Sequence, residues 1–66
     1  MKTKKEIVIE NWRGHGRVVI PQGQPVTPTS HNQCFVESFG NLFGKNSIEY
    51  HDATYYGLRV NTEDCE

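Results

Sequence analysis

Thr54-Tyr55-Tyr56-Gly57-Leu58-Arg59-Val60 is the stretch on which the reading of the fold turns. Thr54, Tyr56, Leu58 and Val60 alternate with Tyr55, Gly57 and Arg59, a period of two that predicts a strand with one buried face. Tyr55 and Tyr56 are then neighbours on opposite faces, one directed at the core and the other at solvent. Just upstream, Ser47-Ile48-Glu49-Tyr50-His51 reads as a further strand, turned back by His51-Asp52-Ala53. Just downstream, Asn61-Thr62-Glu63-Asp64 reads as a capped single turn that ends the domain.

Moving toward the N-terminus, short apolar runs keep being interrupted by Gly, Pro and Asn, which favours strands over helices. Glu6-Ile7-Val8-Ile9-Glu10 is β-branched and predicts a first strand. Asn11 through Gly16 is a turn with two glycines, and Arg17-Val18-Val19-Ile20 is a second strand. Pro21-Gln22-Gly23 has the chemistry of a tight turn. Gln24-Pro25-Val26-Thr27 returns as an edge strand, because Pro25 has no N–H to give to a ladder. Pro28 through Gln33 is a polar loop. Cys34-Phe35-Val36-Glu37-Ser38-Phe39 admits two readings, a strand or the start of a short helix carrying Phe35, Phe39, Leu42 and Phe43. In the second reading Ser30 or Asn32 caps the helix and Gly44 stops it.

Five or six short strands with brief turns predict a mostly β fold: a small antiparallel barrel or curved sheet, with room for one short helix or 3₁₀ turn. The ending Val60-Asn61-Thr62-Glu63-Asp64 resembles the last strand and 3₁₀ turn of SH3-like barrels. The resemblance covers this ending alone and bears on architecture, not on function.

The chain has 66 residues, room for a single small domain over 1–66, with residues 1–5 expected as a flexible basic arm. Its mean hydropathy of −0.68 and seven aromatics suit a polar globular domain better than a disordered tail. No apolar run approaches the roughly 18 residues of a membrane span. Lys2, Lys4 and Lys5 precede no apolar segment of the secretory kind, so the expected localisation is the reducing cytoplasm. Cys34 and Cys65 are accordingly read as free thiols, Cys34 packed as a small hydrophobe and Cys65 exposed, with a disulfide between them the less favoured alternative.

The formal charge of −1 conceals a gradient. Residues 1–20 carry five cations against two carboxylates, and residues 21–66 carry two against six. A dedicated duplex-DNA binder shows a clear basic excess, which this chain lacks.

Few motifs carry chemistry. His31, Cys34, His51 and Cys65 supply the ligand types of a tetrahedral zinc site, but without the knuckle spacing that makes zinc signatures specific. Neither metal nor other cofactor is expected. Cys34 with His51 and Asp52 can be drawn as a nucleophile, base and orienting group, yet an apolar setting makes a thiol inert. The glycines lack phosphate-loop spacing. The chain is therefore not expected to be an enzyme.

Aromatics and arginines carry the remaining signal. Trp12, Arg13, His15 and Arg17 cluster around an exposed-looking tip, with Tyr55 and Arg59 as candidate neighbours. Aromatic rings with arginine are the composition of protein–protein hot spots. The expected function is a non-enzymatic protein-binding module that docks on a larger protein or complex and modulates or inhibits it. Its size and style match phage or mobile-element accessory proteins. The alternative is a single-stranded nucleic-acid-binding β-barrel that stacks bases on the same rings. The first strand, Glu6–Glu10, also offers an edge for a homodimer, partly guarded by its glutamates.

Overall fold

Ile7, Val8 and Ile9 form strand β1 (Ile7–Ile9), which pairs antiparallel with β2 (Val18–Ile20) in the register Ile7↔Ile20, Val8↔Val19, Ile9↔Val18. The pleat sends Val18 and Ile20 into the core and leaves Val8 and Val19 exposed on the outer face. In this computed structural model, which describes residues 1–29 and 31–66, the segment joining the two strands is a 3₁₀ turn at Trp12–Gly14.

A second antiparallel sheet is built from β3 (Val26–Pro28), β4 (Gln33–Val36) and β5 (Arg59–Asn61), in that order. β3 is an edge, as the prolines in this segment require. Val26 opposite Val36 and Cys34 opposite Val60 face the core, while Thr27, Phe35 and Arg59 form the outward row. Of the two readings of Cys34–Phe39, the strand is the one adopted. It is followed by a 3₁₀ turn at Phe39–Asn41, with Leu42 and Phe43 N–H both donating to the Phe39 carbonyl. Asn32 is a left-handed residue leading into β4 and caps no helix, and Ser30 lies outside the described residues.

The largest departure from the sequence reading is helix α1, Ile48–Tyr56. Apart from its first residue Ser47, the strand expected over Ser47–His51 falls within it, as do the turn expected at His51-Asp52-Ala53 and the first half of the strand expected over Thr54–Val60. Ser47 caps it, its hydroxyl accepting from the Tyr50 N–H at 3.1 Å, and Glu49 sits favourably in the first turn. Gly57 ends it at φ 86°, with its N–H donating to the Ala53 carbonyl. Leu58 and Val60 keep the alternation, in the extended segment running into β5, and both are buried. A 3₁₀ turn at Thr62–Asp64 closes the chain where a single turn was expected.

The two sheets remain separate, so the structure is a β-rich pair of antiparallel sheets with one α-helix and 3₁₀ turns among the described residues. No ladder joins β1 to β5, and the expected barrel does not close. The core between them holds Val18, Ile20, Val26, Cys34, Val36, Ala53, Leu58 and Val60, joined by Cys65. Cys65 is thus buried, contrary to its expected exposure, because Thr3 bridges to it and its thiol donates to the Asn61 carbonyl at 3.5 Å. Both cysteines are free thiols, and burial together with the neighbouring Cys34 pushes the Cys65 thiol up to about 11.

Residues 1–5, expected as a flexible arm, are hydrogen-bonded to the rest of the chain. Lys2 and Glu66 exchange N–H···O bonds of 2.8 Å each way, and Lys4 N–H donates to the Asp64 carbonyl at 2.9 Å. Lys5 adds an ion pair to Asp64 at 3.2 Å. Thr3 is fully buried, its hydroxyl donating to the Pro21 carbonyl at 2.7 Å and accepting from the Gln24 N–H at 2.9 Å. Gln24 continues the clasp to the Glu37 carbonyl and Asn41, so these polar groups are buried with partners in place. The basic start and the acidic end therefore run side by side, with one ion pair, Lys5–Asp64, between them. No helix among the described residues is long and apolar enough to cross a membrane.

Candidate functional site

Two aromatic systems meet around α1, and they differ in exposure. The inner one starts at Trp12, whose ring stacks on Phe43 at 5.8 Å with an interplanar angle of 9°. It continues through Phe39, 6.4 Å from Phe43, to Tyr50 on α1, 5.0 Å from Phe39 and edge-on. Trp12, Phe39 and Phe43 are half-buried and packed on the core. The tip that looked exposed in sequence is thus clamped to the body of the protein.

His15 completes the clamp. Its Nε2 lies 2.6 Å from Asp52 Oδ2 on α1, both side chains being mostly buried, and His51 Nδ1 approaches the other oxygen at 3.4 Å. The hydrogen bond from His15 is the main reason the Asp52 carboxyl is held below its usual range; burial opposes the shift, and His51 and the Arg13 charge assist it. A carboxyl depressed in the folded state stabilises above its unfolded pKa, and that contribution is lost as pH falls through the folded value. Replacing Asp52 by Asn is expected to lower the melting temperature at neutral pH. The gap from wild type should close on acidification below about pH 4, the ordinary carboxyl range. Parallel melting curves from pH 6 down to about 2.5 would show that the His15 contact contributes nothing through this charge.

The outer system is open to solvent. Arg13 lays its guanidinium over the Tyr56 ring at 3.5 Å from the centroid. Tyr56 meets Tyr55 edge-on at 4.8 Å, and Tyr55 stacks on His51 at 6.1 Å. Tyr55 is 74% exposed and Tyr56 45%. On a helix the two tyrosines are about 100° apart rather than on opposite faces, so both stand outside, where the sequence placed one in the core. Arg13 reaches its position from a left-handed backbone at φ 47°, a conformation that costs a non-glycine residue about 1 kcal/mol or more.

A shallow groove of about 490 Å³ runs from Tyr55 and Tyr56 across Gly57 to Phe35, Phe39 and Arg59. Arg59, which lines the groove, covers the Phe35 ring at 4.9 Å, and Arg13 lies beside the groove on the ring of the lining residue Tyr56. Among the described residues neither arginine is within ion-pair distance of a carboxylate, and no Asp or Glu lines the groove.

Comparisons with protein-family models, with curated proteins and with solved structures return no match. The reading of the site therefore rests on its geometry.

Of the residues singled out in the sequence, Arg13, Tyr55 and Arg59 belong to this outer face. Trp12 and His15 serve the inner clamp, and Arg17 is engaged with Glu10 at 3.0 Å in an exposed pair across the hairpin. Phe35 and Tyr56 were not singled out. Phe35 was within reach of the sequence, since a buried Cys34 in a strand turns Phe35 outward. Tyr56 was not, because its exposure follows from the helix. The zinc candidates do not form one cluster: Cys34 and Cys65 neighbour each other in the core, whereas His31 lies in an exposed loop and His51 on the exposed side of α1. No cluster of three or more His, Cys, Asp or Glu side chains suited to a metal occurs among the described residues.

Proposed function

We propose that this chain is a non-enzymatic protein-binding module that docks on a larger protein through the Tyr55–Tyr56–Phe35 groove. The observation that carries the proposal is the Arg13 guanidinium stacked on Tyr56 beside the exposed Tyr55 ring. Exposed tyrosines bring apolar area at low rotamer cost, and a stacked arginine keeps its N–H edge free for a partner's acceptors. The left-handed backbone at Arg13 adds support, because backbone strain persists where the surrounding structure or a function holds it. Within this proposal the SH3-like likeness narrows to β5 and its 3₁₀ turn, β5 forming the Arg59 wall of the groove.

Arg13→Gly tests the assignment because it separates binding from stability. Glycine relieves the left-handed strain while removing the cation–π contact, so stability should stay within about 1 kcal/mol of wild type. Tyr55→Ala likewise removes mostly exposed area. Capture of a stoichiometric protein partner from nuclease-treated native lysate should fail for both variants at unchanged melting temperature. Capture that survives in both variants, or that nuclease abolishes in the wild type, contradicts the proposal.

A further inference from the structure

We propose that the groove takes an acidic peptide segment of the partner, with one aromatic or branched aliphatic side chain seated against Phe35 and Tyr56 and carboxylates meeting Arg13 and Arg59. The inference rests on the docking reading and goes further by fixing the chemistry of the occupant. Each guanidinium has one face on a ring, Arg13 on Tyr56 and Arg59 on Phe35, which leaves its N–H edge uncovered by that ring. A planar fork of this kind matches a carboxylate with two parallel N–H···O bonds. Neither fork is within ion-pair distance of a carboxylate of this chain among the described residues, although Arg13 feels the Asp52 charge, and the groove lining is apolar or uncharged apart from Arg59. Charge complementarity thus calls for an apolar group in the groove with a negative group at Arg59 and a second within reach of Arg13 beside Tyr56.

The same features weigh against a nucleic-acid strand. A phosphate backbone favours a continuous run of cations along its track. No lysine lines this groove, and Lys5 is paired with Asp64 near the C-terminus. Two separate arginines around apolar rings suit discrete carboxylates.

A random peptide library displayed on phage, panned against the intact protein, tests this directly. The wild type should enrich peptides with at least two Asp or Glu residues flanking an aromatic or branched aliphatic one. A synthetic copy of the leading peptide should shift the backbone amide resonances of Tyr55, Gly57 and Arg59. The double variant Arg13→Glu with Arg59→Glu should weaken that peptide by about tenfold or more, as reversed rim charges do, and should enrich basic peptides instead. A melting curve of the double variant confirms that it is folded, and Tyr55→Ala provides the groove-deficient control. Neutral, basic or proline-rich peptides that bind the wild-type groove, indifferent to the charge reversal, overturn the acidic-segment inference and leave the docking module standing. Enrichment that is no different on Tyr55→Ala overturns both. Displacement of the bound peptide by oligothymidine, with tighter binding of the oligonucleotide, overturns both in favour of a nucleic-acid partner.

Discussion

Replacing Gly57 by alanine is expected to destabilise the protein by about 2–4 kcal/mol, a large share of the total for a domain of this size. Gly57 has φ 86° and ψ 142°, beyond the reach of an L-residue without strain. A Cβ built there lies 2.8 Å from Phe35 Cε1 and 3.2 Å from Cδ1. The ring is exposed and has Arg59 over it at 4.9 Å, so any withdrawal also disturbs that contact. The same residue stops α1 and leads directly through Leu58 into β5, so the strain falls where the helix meets the sheet. A double-mutant cycle with Phe35→Ala separates the two costs: if the backbone conformation dominates, removing the ring recovers only the smaller part. A Gly57→Ala variant as stable as wild type in urea titration would show that the helix does not end as described.

Trp12→Ala is expected to cost about 2–4 kcal/mol as well, for a different reason. Trp12 joins the β1–β2 turn to Phe43, and through Phe39 to Tyr50 on α1. Its loss leaves a void under the turn and loosens the His15–Asp52 contact beside it. Small domains have roughly 3–10 kcal/mol in all, so this variant should be partly unfolded at physiological temperature. Trp12→Phe, which keeps a ring on Phe43, should retain most of the stability. Partner capture by Trp12→Ala should fall only in step with its folded fraction, measured by circular dichroism at the same temperature. Complete loss of capture by a fully folded Trp12→Ala protein would move Trp12 into the contact surface.

These two residues also show what was legible in the sequence. The hairpin β1–β2, the edge strand β3 and the closing 3₁₀ turn announce themselves locally, through β-branched alternation and the placement of Pro and Gly. Helix α1 does not. Only Ala53 of its nine residues is fully buried, so no helical stripe is visible. Its outward residues Ile48, Tyr55 and Tyr56 are of types favoured in strands, and with Leu58 and Val60 they imitate a period of two. The deciding marks were the Ser47 cap and the Gly57 stop, with packing of Tyr50 on Phe39 supplying the rest. The site was legible to the same degree. Arg13, Tyr55 and Arg59 stand out as exposed aromatic and arginine residues, whereas the pairing of Arg13 with Tyr56 joins residues 43 positions apart through the helix and is invisible locally.

In the proposed function the Tyr55 side of α1 faces a protein partner. A photo-cross-linking phenylalanine analogue placed at Tyr55, with a second protein carrying it at the exposed Val19 of β2, tests that claim in the native cell. A discrete, nuclease-insensitive protein adduct is expected from position 55, weakened when Arg13 is also replaced by glycine, and none from position 19. An adduct from position 19 alone, equal adducts from both positions, or an adduct from position 55 that nuclease removes would contradict it.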